Sequence, residues 1–210
     1  MTNAFARSIA LCVVIALGVL SASLSAHAQA AHAQPEWLGG LKAGGYVIVI
    51  RHGATHTDQA DTDPLNLANV AKQRQLTDAG RAKAQEIAAA FKKLGIPVGQ
   101  VITSQYFRAI ETGKPFGDPK PTSDVTEGGQ VVTPIENNRR QAGLRKLAGT
   151  APAAGTNTVV VSHKPNILDA FGKDWFDIRE GEASIFKPDG AGGYKLVARV
   201  QADEWAKLAP

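Results

Sequence analysis

Two histidines occupy matching places in the chain. His52 follows the apolar run Tyr46-Val47-Ile48-Val49-Ile50 by two residues, and His163 follows Thr158-Val159-Val160-Val161 by two. Each stands beside a residue able to contact an anion; for His52 this is Arg51. Near neutral pH an imidazole can move a proton, attack an electrophile or bind a metal, and alone it is more often an ordinary surface or core residue. The repeated placement is what marks the pair. Arg108 lies about one helical turn beyond Ser104, itself at the end of another apolar run. Gly53, directly after His52, has no side chain to keep its backbone N–H away from an anion.

Buried strands and their following helices must position these residues. The run from Tyr46 to Ile50, rich in β-branched residues, predicts a strand covered on both faces. Thr77 predicts the cap of a helix whose apolar positions Ile87, Phe91 and Leu94 keep helical spacing, ended by Gly95 and Pro97. Residues 98–103 predict a second strand, 105–114 a short helix, 134–148 a third helix and 158–161 another buried strand. Residues 183–187 and 194–200 flank the turn signal Pro188-Asp189-Gly190 and predict a hairpin. This alternation implies an α/β fold of three layers, a mostly parallel sheet with helices on both faces. Ligands of such sheets bind outside the carboxyl ends of the strands, where both histidines fall.

Four blocks follow one another along this frame: Arg51-His52-Gly53, Leu76-Thr77-x-x-Gly80, Ser104-x-x-x-Arg108-Ala109-x-x-Thr112 and Ser162-His163. In residues, order and predicted elements they resemble the histidine phosphatase superfamily, with its phosphoglycerate mutase-like fold. The resemblance implies that His52 is the nucleophile, forming a phosphohistidine that water later cleaves. It implies that Arg51, Arg108 and His163 bind the phosphoryl oxygens, His163 as an imidazolium favoured by the dianion. Guanidinium suits this role because its fork of N–H donors matches two phosphate oxygens and stays charged. Positioning and positive charge dominate phosphoryl transfer, so neither a metal nor a cofactor is implied. An acid that protonates the leaving oxygen is expected after the Arg-x-x-x-Thr block, where Glu127 is favoured over Asp124 and Glu136. The chain also departs from the pattern. Ala54 and Asp58 stand where relatives often carry Glu and Asn, and Lys164 follows the second histidine in place of glycine.

Composition narrows the function further. Of 210 residues 44% are hydrophobic and 20% charged, which suits a globular domain and excludes disordered, collagenous and disulfide-scaffold classes. An excess of four positive charges, with no Lys/Arg run longer than two, is no nucleic-acid footprint; a small phosphorylated substrate is the expected partner. Residues 1–28 read as a signal peptide: Arg7, an apolar stretch over 9–20 too short to span a bilayer, then small residues offering cleavage after Ala28, with registers to position 33. The mature domain, 35–210, would lack the single cysteine, Cys12, and with it any thiolate site or disulfide. The expectation is an exported, periplasmic or secreted phosphomonoesterase without a stable membrane anchor, its oligomeric state open. Alternatives are a mutase or phosphohistidine phosphatase using the same pocket, or a protein that binds phosphate or an anionic glycan without turnover.

Overall fold

Period-two patterning builds the core of the computed structural model, which describes residues 35–128 and 132–209. Strand β1 (Val47–Arg51) sends Ile48 and Ile50 into one apolar cluster and Val47 and Val49 into another, because successive side chains point to opposite sheet faces. Helices α1 (Glu36–Ala43) and α2 (Asp78–Leu94) cover the first face with Leu38, Leu41, Ile87 and Phe91. The second is covered by α4 (Pro134–Ala148) and α5 (Lys164–Phe171), through Leu144, Ala148 and Ile167. The expected signal segment, residues 1–28, lies outside the described residues.

The sheet runs β3 (Pro119–Pro121), β2 (Val98–Thr103), β4 (Asn157–Ser162), β1, β5 (Ala183–Pro188), β6 (Tyr194–Val200). Its first four strands are parallel, and β5 and β6 close the far edge antiparallel, giving the mostly parallel α/β sheet expected. The expected hairpin is β5–β6, with a register shift between Ile185 and Phe186. Thr77 caps α2 by accepting the Gly80 N–H at 3.0 Å, and Gly95 ends it in the left-handed region at φ 71°. The helix expected over 105–114 is confined to α3 (Phe107–Gly113), because Pro115 starts a tighter turn. Helix α1, strand β3 and the last helix, α6 (Glu204–Leu208), carry too little periodicity to announce themselves.

Candidate active site

Strands β1 and β4 are neighbours in parallel register, with Arg51 opposite Ser162, and the His52 N–H donates to the Ser162 carbonyl at 3.0 Å. His52 and His163 therefore leave adjacent strand ends side by side, their ring centroids 5.1 Å apart. Both are buried, as is Arg108, which α3 supplies just after β2.

Hydrogen bonding fixes the chemistry of each ring. His52 Nδ1 lies 2.8 Å from the Gly53 carbonyl, which can only accept, so Nδ1 carries the proton and Nε2 keeps a free lone pair. Burial, then the nearby His163 and the two arginine charges, hold His52 well below the usual histidine range, so this lone pair is present at neutral pH. His163 Nε2 lies 2.7 Å from Ser104 Oγ, which already accepts the Tyr106 N–H. We assign the Ser104 proton to that bond, which leaves the neutral His163 ring with its own proton on Nδ1. That nitrogen is buried, has no hydrogen-bond partner and sits 3.4 Å from Glu127 Oε1. Burial and the charges of Arg108, Arg74 and Arg51 keep His163 well below its usual value. The imidazolium expected from the sequence depends on a neighbouring dianion; the protein's own surroundings favour a neutral ring, which still presents an N–H donor.

Three carboxylates stand against the two arginines. Arg108 lies over the Tyr106 ring, its guanidinium carbon 4.1 Å from the ring centroid, and donates to Asp61 at 2.9 Å and to Glu127. Arg51 donates to the Ile178 carbonyl at 2.8 Å and stands 3.5 Å from Glu180. The Nε atoms of both arginines are buried without a hydrogen-bond partner. Three donors, Arg51 Nε, Arg108 Nε and His163 Nδ1, are therefore unsatisfied, and each such buried group costs ~1–3 kcal/mol.

Packing explains the motif positions between these residues. Gly53 N–H donates to Thr112 Oγ1 at 3.0 Å, and that hydroxyl donates to the Arg108 carbonyl at 2.8 Å, tying the nucleophile loop to the arginine helix. A side chain on Gly80 would collide with the Ala54 carbonyl oxygen, so α2 seats against this loop only with glycine there. Glu127 is aimed by its neighbours: Arg140 donates to the Thr126 and Glu127 carbonyls at 2.9 and 3.1 Å, and Asn166 donates to the Thr126 carbonyl at 3.1 Å.

Each residue expected from the sequence has a definite place. His52, His163, Arg108 and Glu127 form one connected group, and the charges of Arg51 and Arg108 reach both imidazoles. Asp124 and Glu136 lie outside this group. Asp124 binds Arg139, and Glu136, bound by Arg139 and Arg140, is pulled down to about 2, too acidic to hold a proton for a leaving group. Arg108 makes its ion pairs with Asp61 and Glu127, while Glu111 pairs with Lys114. Asp58 is exposed, and Lys164 Nζ lies 4.7 Å from the centre of the Phe176 ring. Sequence reasoning missed Asp61, Ser104, Tyr106 and Arg74 as parts of the site. Only Ser104 carried a signal, as the first residue of the Ser-x-x-x-Arg block. Among the described residues, no group of three or more His, Cys, Asp or Glu side chains is arranged to hold a metal ion.

Comparison with known proteins bears on this arrangement. No curated protein sequence matches the chain. The solved protein histidine phosphatase SixA, complexed with tungstate, is similar at TM-score 0.54 and 18% identity, covering 76% of this chain and 98% of that one. A mycobacterial glucosyl-3-phosphoglycerate phosphatase with inorganic phosphate is similar at TM-score 0.52 and 15% identity, covering 76% and 99%. The alpha-ribazole phosphatase from Shigella flexneri gives TM-score 0.52 at 14% identity, covering 75% and 96%. These likenesses establish the phosphoglycerate mutase-like fold. Residues 47–128, which hold the Arg-His-Gly loop, Arg108 and Glu127, match the family model of the histidine phosphatase superfamily, branch 1.

Proposed function

We propose that the chain is a metal-independent phosphomonoesterase working through a phosphohistidine, and that it is exported after removal of its N-terminal segment. The observation that carries this reading is the set of three buried, unpartnered N–H donors beside a histidine whose Nε2 lone pair is free. A phosphoryl dianion carries oxygens that accept from donors of each of these kinds. His52 Nε2 attacks phosphorus as the bond to the ester oxygen breaks, and Glu127, in its protonated form, passes a proton to the departing alcohol. Water then attacks the phosphohistidine, Glu127 takes a proton from it, and the N–P bond breaks to release phosphate.

Purified mature protein should hydrolyse p-nitrophenyl phosphate in EDTA, and His52→Ala should not. Alkaline denaturing quench of a reaction with phosphorus-labelled substrate, which preserves the acid-labile N–P bond, should trap label on His52. Equal activity of the two proteins would remove His52 as nucleophile, and tight phosphate binding without turnover in either would favour the binding-protein alternative. The intact mass of protein recovered from the periplasm or medium tests the export reading. The solved phosphatases of this fold act by their names on different phosphorylated substrates, so the substrate of this chain has to come from its own pocket.

A further inference from the structure

Next to the phosphate-binding group lies a hollow of about 190 Å³ lined by Pro64, Leu65, Leu67, Tyr106, Val132 and Glu127, with Arg140 among its walls. Two of these residues belong to both places. Glu127 touches Arg108 and His163, and Tyr106 lies under the Arg108 guanidinium with its ring 5.3 Å from that of His163. The hollow therefore opens on the side of the site from which the proton is delivered, where the leaving alcohol must sit. A larger cavity of about 230 Å³ lies behind Gly53, among Ala84, Ile87 and Phe116, and its lining includes neither imidazole.

The walls state what fits. Four of the walls are apolar side chains and Tyr106 adds a ring, while Thr126, Glu127 and Arg140 are the polar ones. A cavity of ~150 Å³ holds benzene, so 190 Å³ takes one aromatic ring or a short branched chain. Leu65 keeps 82% of its surface exposed, so an apolar group seated in the hollow has apolar surface to cover there. Arg140 is already engaged on two nitrogens: Nε is bound to Glu136, and NH1 is bound to the Thr126 and Glu127 carbonyls.

We infer that this hollow is the leaving-group subsite and that the enzyme prefers phosphate esters of apolar alcohols, carrying a single ring or branched chain, over those of polyhydroxy alcohols. The inference rests on the phosphatase reading above, and two kinds of probe keep their failures apart. Turnover is compared for 2-phenylethyl phosphate and 2-hydroxyethyl phosphate. Binding is compared by calorimetry for 2-phenylethylphosphonate and methylphosphonate, which are not hydrolysed. The phenyl probe should be favoured about tenfold in both comparisons, as burial of ~60 Å² of apolar surface gives. Leu65→Ser, at an exposed position outside the catalytic group, should erase most of that preference and leave methylphosphonate affinity unchanged. Turnover with no phenyl preference, or an equal loss for both probes in Leu65→Ser, overturns the subsite and spares the phosphatase reading. A phenyl preference in phosphonate binding with no turnover keeps an apolar pocket beside the anion site but overturns its leaving-group role together with the phosphatase reading.

Discussion

Asp61→Asn separates what holds Arg108 from what Arg108 is for. Asp61 Oδ1 accepts from Arg108 at 2.9 Å and from the Arg74 backbone N–H at 2.9 Å, and asparagine offers the same oxygen to both, so the geometry should survive. Only a negative charge is lost. That charge sits one guanidinium width from the place where a phosphate dianion is expected. At roughly 6 Å and an effective dielectric near 20, one unit charge against two repels by about 5 kcal/mol. The Asp61 side chain is 20% exposed, so solvent and salt screen most of this; about a quarter left gives ~1.4 kcal/mol, a factor of ten. The inhibition constant for inorganic phosphate should therefore fall about tenfold in Asp61→Asn. Folding stability should drop by ~1–3 kcal/mol as the buried guanidinium loses a charged partner. Competitive inhibition against p-nitrophenyl phosphate and urea unfolding measure the two quantities. An unchanged or raised inhibition constant, with stability lowered as expected, would refute the placing of the anion at Arg108.

Further expectations follow from the same geometry. Glu127→Gln should slow alkyl phosphates by 10²–10⁴-fold, the usual worth of proton transfer, and slow p-nitrophenyl phosphate far less, since nitrophenolate leaves without a proton; equal losses on both esters would remove Glu127 as acid. Gly80→Ala should cost ~1–3 kcal/mol by pushing α2 away from the Ala54 carbonyl, with weaker phosphate binding; unchanged values in both assays would contradict the close seat. Both imidazoles sit below the ordinary histidine value of 6.5, so in acid the unfolded chain binds protons that the folded protein refuses. Stability should therefore be full above about pH 6.5 and decline as pH falls below it, by up to ~1.4 kcal/mol per pH unit for each histidine. Urea midpoints between pH 8 and 5.5 check this, and His52→Asn should flatten the slope.

The parts of the fold visible in the sequence were those with a strong period or a cap. β-branched runs gave β1, β2 and β4 to within a residue, and Thr77 sits at the start of α2 as its capping residue. Helix α1 was hidden because its two glycines dilute the apolar stripe, and β3, a Pro-Lys-Pro edge, contradicts ordinary strand preferences. In the site, basic residues tied to strand ends were legible because topology brings strand ends together. Asp61 was not. It comes from an irregular loop, and only tertiary packing turns one of several aspartates there toward Arg108. The proton position on His163 was equally out of reach, since it depends on a serine 59 residues away.

The side-by-side departure of the two imidazoles from β1 and β4 has an evolutionary consequence. Parallel neighbours in a sheet are held ~4.8 Å apart by their ladder of peptide bonds, and the 5.1 Å between rings inherits that gauge. No drift in surface loops can widen it without unzipping the middle of the sheet. The dimension that grips the transferred group is thus locked by backbone geometry, while the walls that meet the rest of the ester, at Leu65, Leu67 and Val132, are free to mutate. Selection can change which alcohol departs far more readily than what is cut from it.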